Sequence, residues 1–89
     1  MVMKTERDSM RVAEVHGWWQ RKFTSPSHSG VPDRILAKDR RVVFIEFKQP
    51  GEPLSQLQID EIKLMVDQGL EVHVCDSVND VKFILGITT

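Results

Sequence analysis

Residues 30–48 read GVPDRILAKDRRVVFIEFK, and this stretch decides how the rest of the chain is interpreted. An apolar run at 35–37 is followed by four charged residues at 38–41 and then by a β-branched and aromatic run at 42–45. This order predicts two strands joined by a charged hairpin tip. Because the tip contains neither Gly nor Asn, the sequence leaves its turn type open.

Charged side chains gather at the open end of this predicted hairpin. Alternation along the second strand places Glu46 and Lys48 on one face, with Ile45 and Phe47 on the other. Antiparallel pairing with the first strand then brings Asp33 opposite or diagonal to Glu46. We therefore expect two carboxylates and an amine to share one small space.

Two neighbouring carboxylates repel each other unless a cation lies between them, and hard divalent ions prefer carboxylate oxygens. Mg²⁺ usually keeps several waters and binds through one or two carboxylates plus a substrate phosphate. Lys48, beside such an ion, could orient or deprotonate a water, or neutralise charge on a phosphate. Spacing alone also allows an ordinary alternative, a solvated salt bridge between Lys48 and Glu46 or Asp33.

The ordered pair Gly-Val-Pro-Asp at 30–33 and Ile-Glu-Phe-Lys at 45–48 resembles the PD-(D/E)xK nuclease signature. The flanking residues are similar to one branch of that superfamily, the virus-type replication-repair nuclease (VRR-NUC) domain. They comprise Gln-Pro-Gly at 49–51, Leu-Ser at 54–55, Gln58, and Gly69 before a strand at 72–74. The resemblance extends from about residue 14 to residue 80. It implies an α/β, restriction-endonuclease-like fold with an αβββαβ core, in which a mixed four-stranded sheet is flanked by helices.

The resemblance also implies a metal-dependent endonuclease that acts on DNA. Asp33 and Glu46 would then bind Mg²⁺ or Mn²⁺, joined by the backbone carbonyl of Phe47. Lys48 would activate the attacking water. The ion would stabilise the charge that develops on the pentacovalent phosphorus.

The first helix is expected to add an acidic ligand. An apolar stripe of near-helical spacing predicts a helix over residues 5–15, and Glu14 lies at the edge of this stripe, where it could face inward. In the family that the sequence resembles, an acidic residue on this helix contributes to the metal site. Glu14 occupies the matching place, and Glu6 is the second candidate. From the residues alone, Glu14 would be a surface glutamate paired with Arg11.

The second helix is predicted over residues 55–68, with Ser55 as its N-cap and Gly69 at its end. Gln58 has two interpretations. It fits a capping box with Ser55, and the resemblance places it beside the catalytic residues. The predicted buried stripe of this helix consists of Leu54, Leu57, Ile62 and Met65, and Gln58 falls on the same stripe.

Candidate DNA contacts lie before, within and after the loop at 25–30. Residues 18–24 predict a first strand in which aromatic residues alternate with basic ones, a pattern that suits base stacking and phosphate contact. In a domain this small, such aromatics more often belong to the core or to a subunit interface. The residues that we predict to contact DNA are Arg21, Lys22, His28, Ser29 and Arg34.

Length and composition set the wider limits. The 89 residues predict a single domain, 1–89, with a high ratio of surface to buried area that self-association would offset. The net charge of −1 conceals an excess of four positive charges in residues 1–48 and five negative charges in 49–89. A basic half could meet a phosphate backbone, and oppositely charged halves would attract each other in a dimer.

The remaining features point to a cytoplasmic setting, the host cytoplasm if the chain is viral. A single cysteine, Cys75, excludes an intramolecular disulfide, and no apolar run approaches the length of a membrane span. The first seven residues are too polar for a secretory signal.

The expected substrate is branched DNA. The chain looks like the free-standing copies of this domain in bacterial viruses, and a two-fold homodimer could cut opposing strands of a four-way (Holliday) junction. A nicking or flap nuclease is the alternative among enzymes. A DNA-binding or assembly module without catalysis, or a subunit that needs a partner for activity, is the alternative outside that class.

Overall fold

The computed structural model describes residues 2–88, which form three helices and four strands in the order predicted. The elements are α1 (Lys4–Val15), β1 (Trp19–Lys22), β2 (Arg34–Lys38), β3 (Arg41–Phe47), α2 (Gln56–Asp67), β4 (Glu71–Cys75) and α3 (Val78–Leu85). The two ends of the predicted domain 1–89, residues 1 and 89, lie outside the described range.

The β2–β3 hairpin sets the geometry of the sheet. Lys38 pairs with Arg41 across a two-residue turn in which Asp39 has φ 50° and Arg40 has φ 70°. Positive φ at both central residues is the mark of a type I′ turn, whose twist matches that of the flanking strands. The charged tip was predictable, whereas a left-handed conformation at an Arg was not, because this conformation is uncommon for residues other than Gly, Asn and Asp.

The sheet is mixed, with strand order β1-β2-β3-β4. The first three strands are antiparallel neighbours, and β4 runs parallel to β3. Since parallel neighbours need a crossover connection, α2 carries the chain from β3 back to the start of β4. This arrangement confirms the predicted α/β fold.

The core lies on the face of the sheet that meets α1 and α3. Alternate residues of β3 are buried there, and Val43 and Ile45 have no exposed surface at all. They form one apolar cluster with Met10 and Ala13 of α1 and with residues of α3. This burial fixes the register of β3, because a slip by one residue would turn its apolar side chains away from the core.

Two local predictions were wrong. The first strand is shorter than the predicted 18–24, and Trp18 precedes it as a core residue with 6% of its surface exposed. In α2, Leu57 is 60% exposed rather than buried, and Met65 is the buried apolar residue. The row that faces inward is Gln58, Ile62 and Met65, and Leu57 lies about 100° around the helix from it.

Within residues 2–88, no helix is both long enough and apolar enough to span a membrane.

Candidate active site

Asp33 and Glu46 meet where the hairpin opens. Arg34 is opposite Ile45 in the β2–β3 register, so the next pair outward is Asp33 and Glu46. The backbone N–H of Phe47 donates a hydrogen bond of 2.8 Å to Oδ2 of Asp33. The carbonyl of Asp33 accepts another of 2.8 Å from the N–H of Phe23. The carboxylate of Asp33 is thus held against β3 by backbone geometry.

Glu46 is a buried carboxylate, with only 4% of its surface exposed. Burial, followed by the charge of Asp33, raises the pKa of Glu46 to about 7, against a smaller opposing effect of Lys48. Desolvation and a like charge both disfavour the ionised form of a carboxyl group. The site therefore favours either a proton or a cation beside Glu46.

Lys48 supplies one positive charge at this place. Its backbone N–H donates to the carbonyl of Cys75 at 2.9 Å, which fixes the residue at the end of the sheet. Its side chain is 12% exposed, and Nζ lies 4.0 Å from Oε2 of Glu46 and 3.6 Å from Oε2 of Glu52. The sequence interpretation did not single out Glu52, which reaches Lys48 from four residues further along the chain.

Gln58 fits both of its interpretations at once. Its side-chain oxygen accepts from the N–H of Ser55 at 2.9 Å, while its own N–H donates to Oγ of Ser55 at 3.2 Å, which completes the capping box. Its Nε2 donates to Oε2 of Glu46 at 3.0 Å. The start of α2 is therefore tied to the carboxylate pair through one side-chain amide.

The predicted inward orientation of Glu14 is wrong. Glu14 is exposed and accepts a hydrogen bond from the amide of Gln20. The inward residue is the second candidate, Glu6, which is 2% exposed. The buried row of α1 runs through Glu6, Met10 and Ala13. Glu14 is rotated about 100° from Ala13 around the helix axis.

Glu6 has two basic partners. Its Oε2 accepts from Nε of Arg34 at 2.7 Å and from Nζ of Lys22 at 3.1 Å. Its charge also contributes to raising the pKa of Glu46, so α1 adds a third carboxylate to the electrostatics of the site. The spacing of Glu6 from Met10 and Ala13, four and seven residues, is the signal that could have identified it from sequence.

The predicted DNA contacts divide into two groups. Lys22 and Arg34 are engaged with Glu6, beside the carboxylates. Arg21, His28 and Ser29 are exposed, and the guanidinium of Arg21 lies 5.0 Å from the ring centroid of Trp19. The roles of all five in DNA binding stay predictions.

The donors present fit a magnesium ion that keeps part of its water shell. No group of three or more His, Cys, Asp or Glu side chains in the described part of the chain can hold a metal ion. Asp33 and Glu46 offer two adjacent carboxylates, which is the number Mg²⁺ commonly takes when waters and a substrate phosphate complete its octahedron. The burial of Glu46 beside the carboxylate of Asp33 is the observation that favours a cation here, because both effects raise the pKa of Glu46 and disfavour an uncompensated negative charge. The Phe47 carbonyl as a further ligand stays a prediction.

Comparisons with known proteins bear on the family and the fold of this chain. A family model described as the VRR-NUC domain matches residues 5–79. A solved structure titled "VRR_NUC domain" shares the fold, with a TM-score of 0.85 and 22% identity over 97% of this chain and 95% of that one. The chain is also 40% identical over 57 residues to "Putative nuclease p44" of Acyrthosiphon pisum secondary endosymbiont phage 1. That match covers 63% of this chain and 61% of the length of the phage protein.

Proposed function

The chain belongs to the VRR-NUC domain family, and from this premise we propose that it is a metal-dependent endonuclease that hydrolyses phosphodiester bonds in DNA. One observation carries the proposal. The carboxylates of Asp33 and Glu46 and the ammonium of Lys48 converge at one end of the β2–β3 hairpin, partly shielded from water. A buried like-charge pair is costly to folding, and such arrangements cluster where chemistry needs them.

Each residue has a distinct part in the proposed mechanism. Asp33 and Glu46 would hold Mg²⁺ or Mn²⁺, and the bound ion would stabilise negative charge on the phosphorus oxygens during attack. Lys48 would orient the attacking water, take up its proton or neutralise charge on the phosphate. Gln58 restrains the carboxylate of Glu46 through its 3.0 Å hydrogen bond. Glu6 keeps Arg34 and Lys22 beside the site.

For the substrate, we propose branched DNA, with the four-way junction first. The match to a phage protein named as a nuclease supports a viral type of enzyme, for which branched replication intermediates are a natural substrate. A homodimer would present two identical sites related by a two-fold axis, one to each of two opposing strands. Large apolar side chains left exposed on α2 support self-association, with Leu57 at 60% and Leu64 at 62% exposure.

Cleavage by the purified protein tests the proposal. Labelled four-way junction, flap, duplex and single-stranded DNA are incubated with Mg²⁺, Mn²⁺ or EDTA, alongside Asp33→Asn, Lys48→Ala and the exposed control Lys63→Ala. We expect symmetric nicks in the junction with either metal, retained by Lys63→Ala and lost in EDTA and in the two site variants. Sedimentation velocity with and without junction DNA reports the oligomeric state.

The pattern of products separates the alternatives. Nicks confined to the flap or to one strand of the junction would replace the resolvase proposal with a flap or nicking nuclease. DNA binding without cleavage of any substrate would favour a binding or assembly module. Cleavage that persists in Asp33→Asn or Lys48→Ala would place the chemistry elsewhere.

A further inference from the structure

A cavity of about 260 Å³ opens between α1 and the first two strands, next to the candidate active site. Its lining is rich in arginine. The residues around it are Arg7, Met10, Arg11, Glu14, Gln20 and Arg34. With Glu6, the ion-pair partner of Arg34, included, three guanidinium groups stand against two carboxylates, so the cavity keeps an excess of one positive charge, as an anion site requires.

Two of these guanidinium groups have no hydrogen-bond or ion-pair partner in the described part of the chain, although both act electrostatically on the carboxylate of Asp8. Arg7 and Arg11 lie one turn apart on α1, and both are exposed. Neither side chain makes a hydrogen bond or an ion pair with any of residues 2–88. By contrast, Lys4 on the same helix pairs with Asp8 at 2.7 Å. The two arginines therefore keep all their side-chain donors for a ligand.

The third guanidinium is rigidly placed. Arg34 is 12% exposed, and it donates from Nε to Glu6 at 2.7 Å and from Nη1 to Oε1 of Gln20 at 2.9 Å. Its Nη2 makes no hydrogen bond within the described structure. Gln20 donates from its Nε2 to Glu14, so the carboxylate that lines the cavity is already engaged. One guanidinium held by hydrogen bonds and two exposed guanidinium groups that make none within residues 2–88 thus line the same cavity.

The cavity is connected to the chemistry through Arg34. This residue follows Asp33 directly in the chain, and its ion-pair partner Glu6 acts electrostatically on Glu46. An anion in the cavity would therefore contact Arg34, the β2 residue next to Asp33. A DNA strand carries a phosphate at every nucleotide, so one strand could place one phosphate in the cavity and another at the carboxylates.

We propose that this cavity binds a backbone phosphate of the DNA substrate, on the strand that is cut and beside the scissile phosphodiester. The inference rests on the proposed nuclease function and adds to it a second anchoring point. Arginine forks match the oxygen pairs of a phosphate. Contacts of this kind fix the register and direction of a strand without reading its bases. The cavity sets where the strand lies, and the carboxylate pair sets where it is cut.

Equilibrium binding tests the site without relying on cleavage. All proteins carry Asp33→Asn to prevent cutting, and a fluorescent four-way junction and a fluorescent duplex are titrated in EDTA at several salt concentrations. The test variant adds Arg7→Ala and Arg11→Ala. The matched control adds Lys63→Ala and Lys82→Ala, which removes the same number of charges from α2 and α3. Circular dichroism verifies that each variant is folded, as expected for helix positions that are exposed or, at Lys82, partly exposed.

We expect the arginine variant to bind DNA about tenfold more weakly than the control. We also expect its slope of log affinity against log salt to fall by about one, the value for one lost phosphate contact. A third variant with Arg7→Lys and Arg11→Lys should recover part of the affinity, because charge is retained while the fork is lost. Equal affinity and slope in the arginine and lysine-control variants, with binding by the parent intact, would overturn this inference and leave the proposed function standing. A wild-type protein that cuts no DNA, together with an Asp33→Asn parent that binds none, would instead remove the proposed function and the inference together.

Discussion

Replacing Glu46 by glutamine should stabilise the metal-free protein at pH 8 and at the same time end cleavage. Glu46 is buried beside Asp33, and its pKa is raised from 4.5 to about 7. The folded chain therefore holds this proton more tightly than the unfolded chain does. Stability from this group is fully present below about pH 4.5 and is lost as the pH rises through about 7.

The magnitude follows from the difference between the two pKa values. It is about 2.5 pH units, and each unit is worth about 1.4 kcal/mol, so the ionised carboxylate costs about 3 kcal/mol above pH 8. An amide carries no charge, and its oxygen can still accept the hydrogen bond from Nε2 of Gln58. Glu46→Gln should therefore recover most of this free energy at pH 8 and little of it at pH 5.

Urea denaturation in EDTA, followed by the fluorescence of the buried Trp18, measures the effect at pH 5 and pH 8. The quantity of interest is the difference in unfolding free energy between the variant and the wild type, because other titrating groups cancel in it. Two results would refute the conclusion that the ionised carboxylate of Glu46 destabilises the fold. One is a difference in unfolding free energy that is the same at both pH values, and the other is a variant less stable than the wild type at pH 8.

Two further predictions concern the elements around the carboxylate pair, and both are measured by urea denaturation and by junction cleavage. Glu6→Ala leaves the guanidinium of Arg34, which is only 12% exposed, without its carboxylate partner and should cost about 3 kcal/mol, whereas Glu14→Ala on the exposed side should stay within about 0.5 kcal/mol. Equal effects of the two glutamate variants would contradict the orientation of α1. Gly30→Ala should cost about 2 kcal/mol or more and slow cleavage, because its Cβ would lie 2.4 Å from the carbonyl oxygen of Leu57 at the start of α2, at a φ of +93°. Gly51→Ala, which has φ +81° but no neighbour within 4 Å of the new Cβ, should cost only about 1 kcal/mol and leave cleavage unchanged.

The order of elements and the pairing of Asp33 with Glu46 were predictable from the sequence because both depend on local rules. Alternation along β3 and antiparallel return over a short tip bring these two residues together without any knowledge of the helices. The capping box at Ser55 was predictable for the same reason, since its partners are three residues apart.

The helix faces were not predictable to the same degree. The apolar stripe of α1 does not determine which of its edges faces the sheet. Whether Glu6 or Glu14 faces inward depends on a rotation of about 100° of the helix about its own axis. The partner that decides it, Arg34, lies 28 residues further along the chain. Likewise, Leu57 was predicted to be buried because it is apolar, but it is exposed. The row of α2 that faces inward begins instead with Gln58, which donates a hydrogen bond to Glu46.

The two-residue turn at Asp39 and Arg40 has a consequence for how this chain can vary in length. Surface turns commonly accept inserted residues, because little depends on them. Here the two-residue turn fixes which residues of β2 and β3 pair with each other. A shift of this register by one residue would exchange the two faces of a strand. Glu46 and Lys48 would then point into the apolar core, and Ile45 would take their place on the face proposed to bind the phosphate of the DNA. A register shift of one residue caused by a length change at the tip, at the opposite end of the hairpin from the chemistry, would disable the site as surely as the loss of a carboxylate.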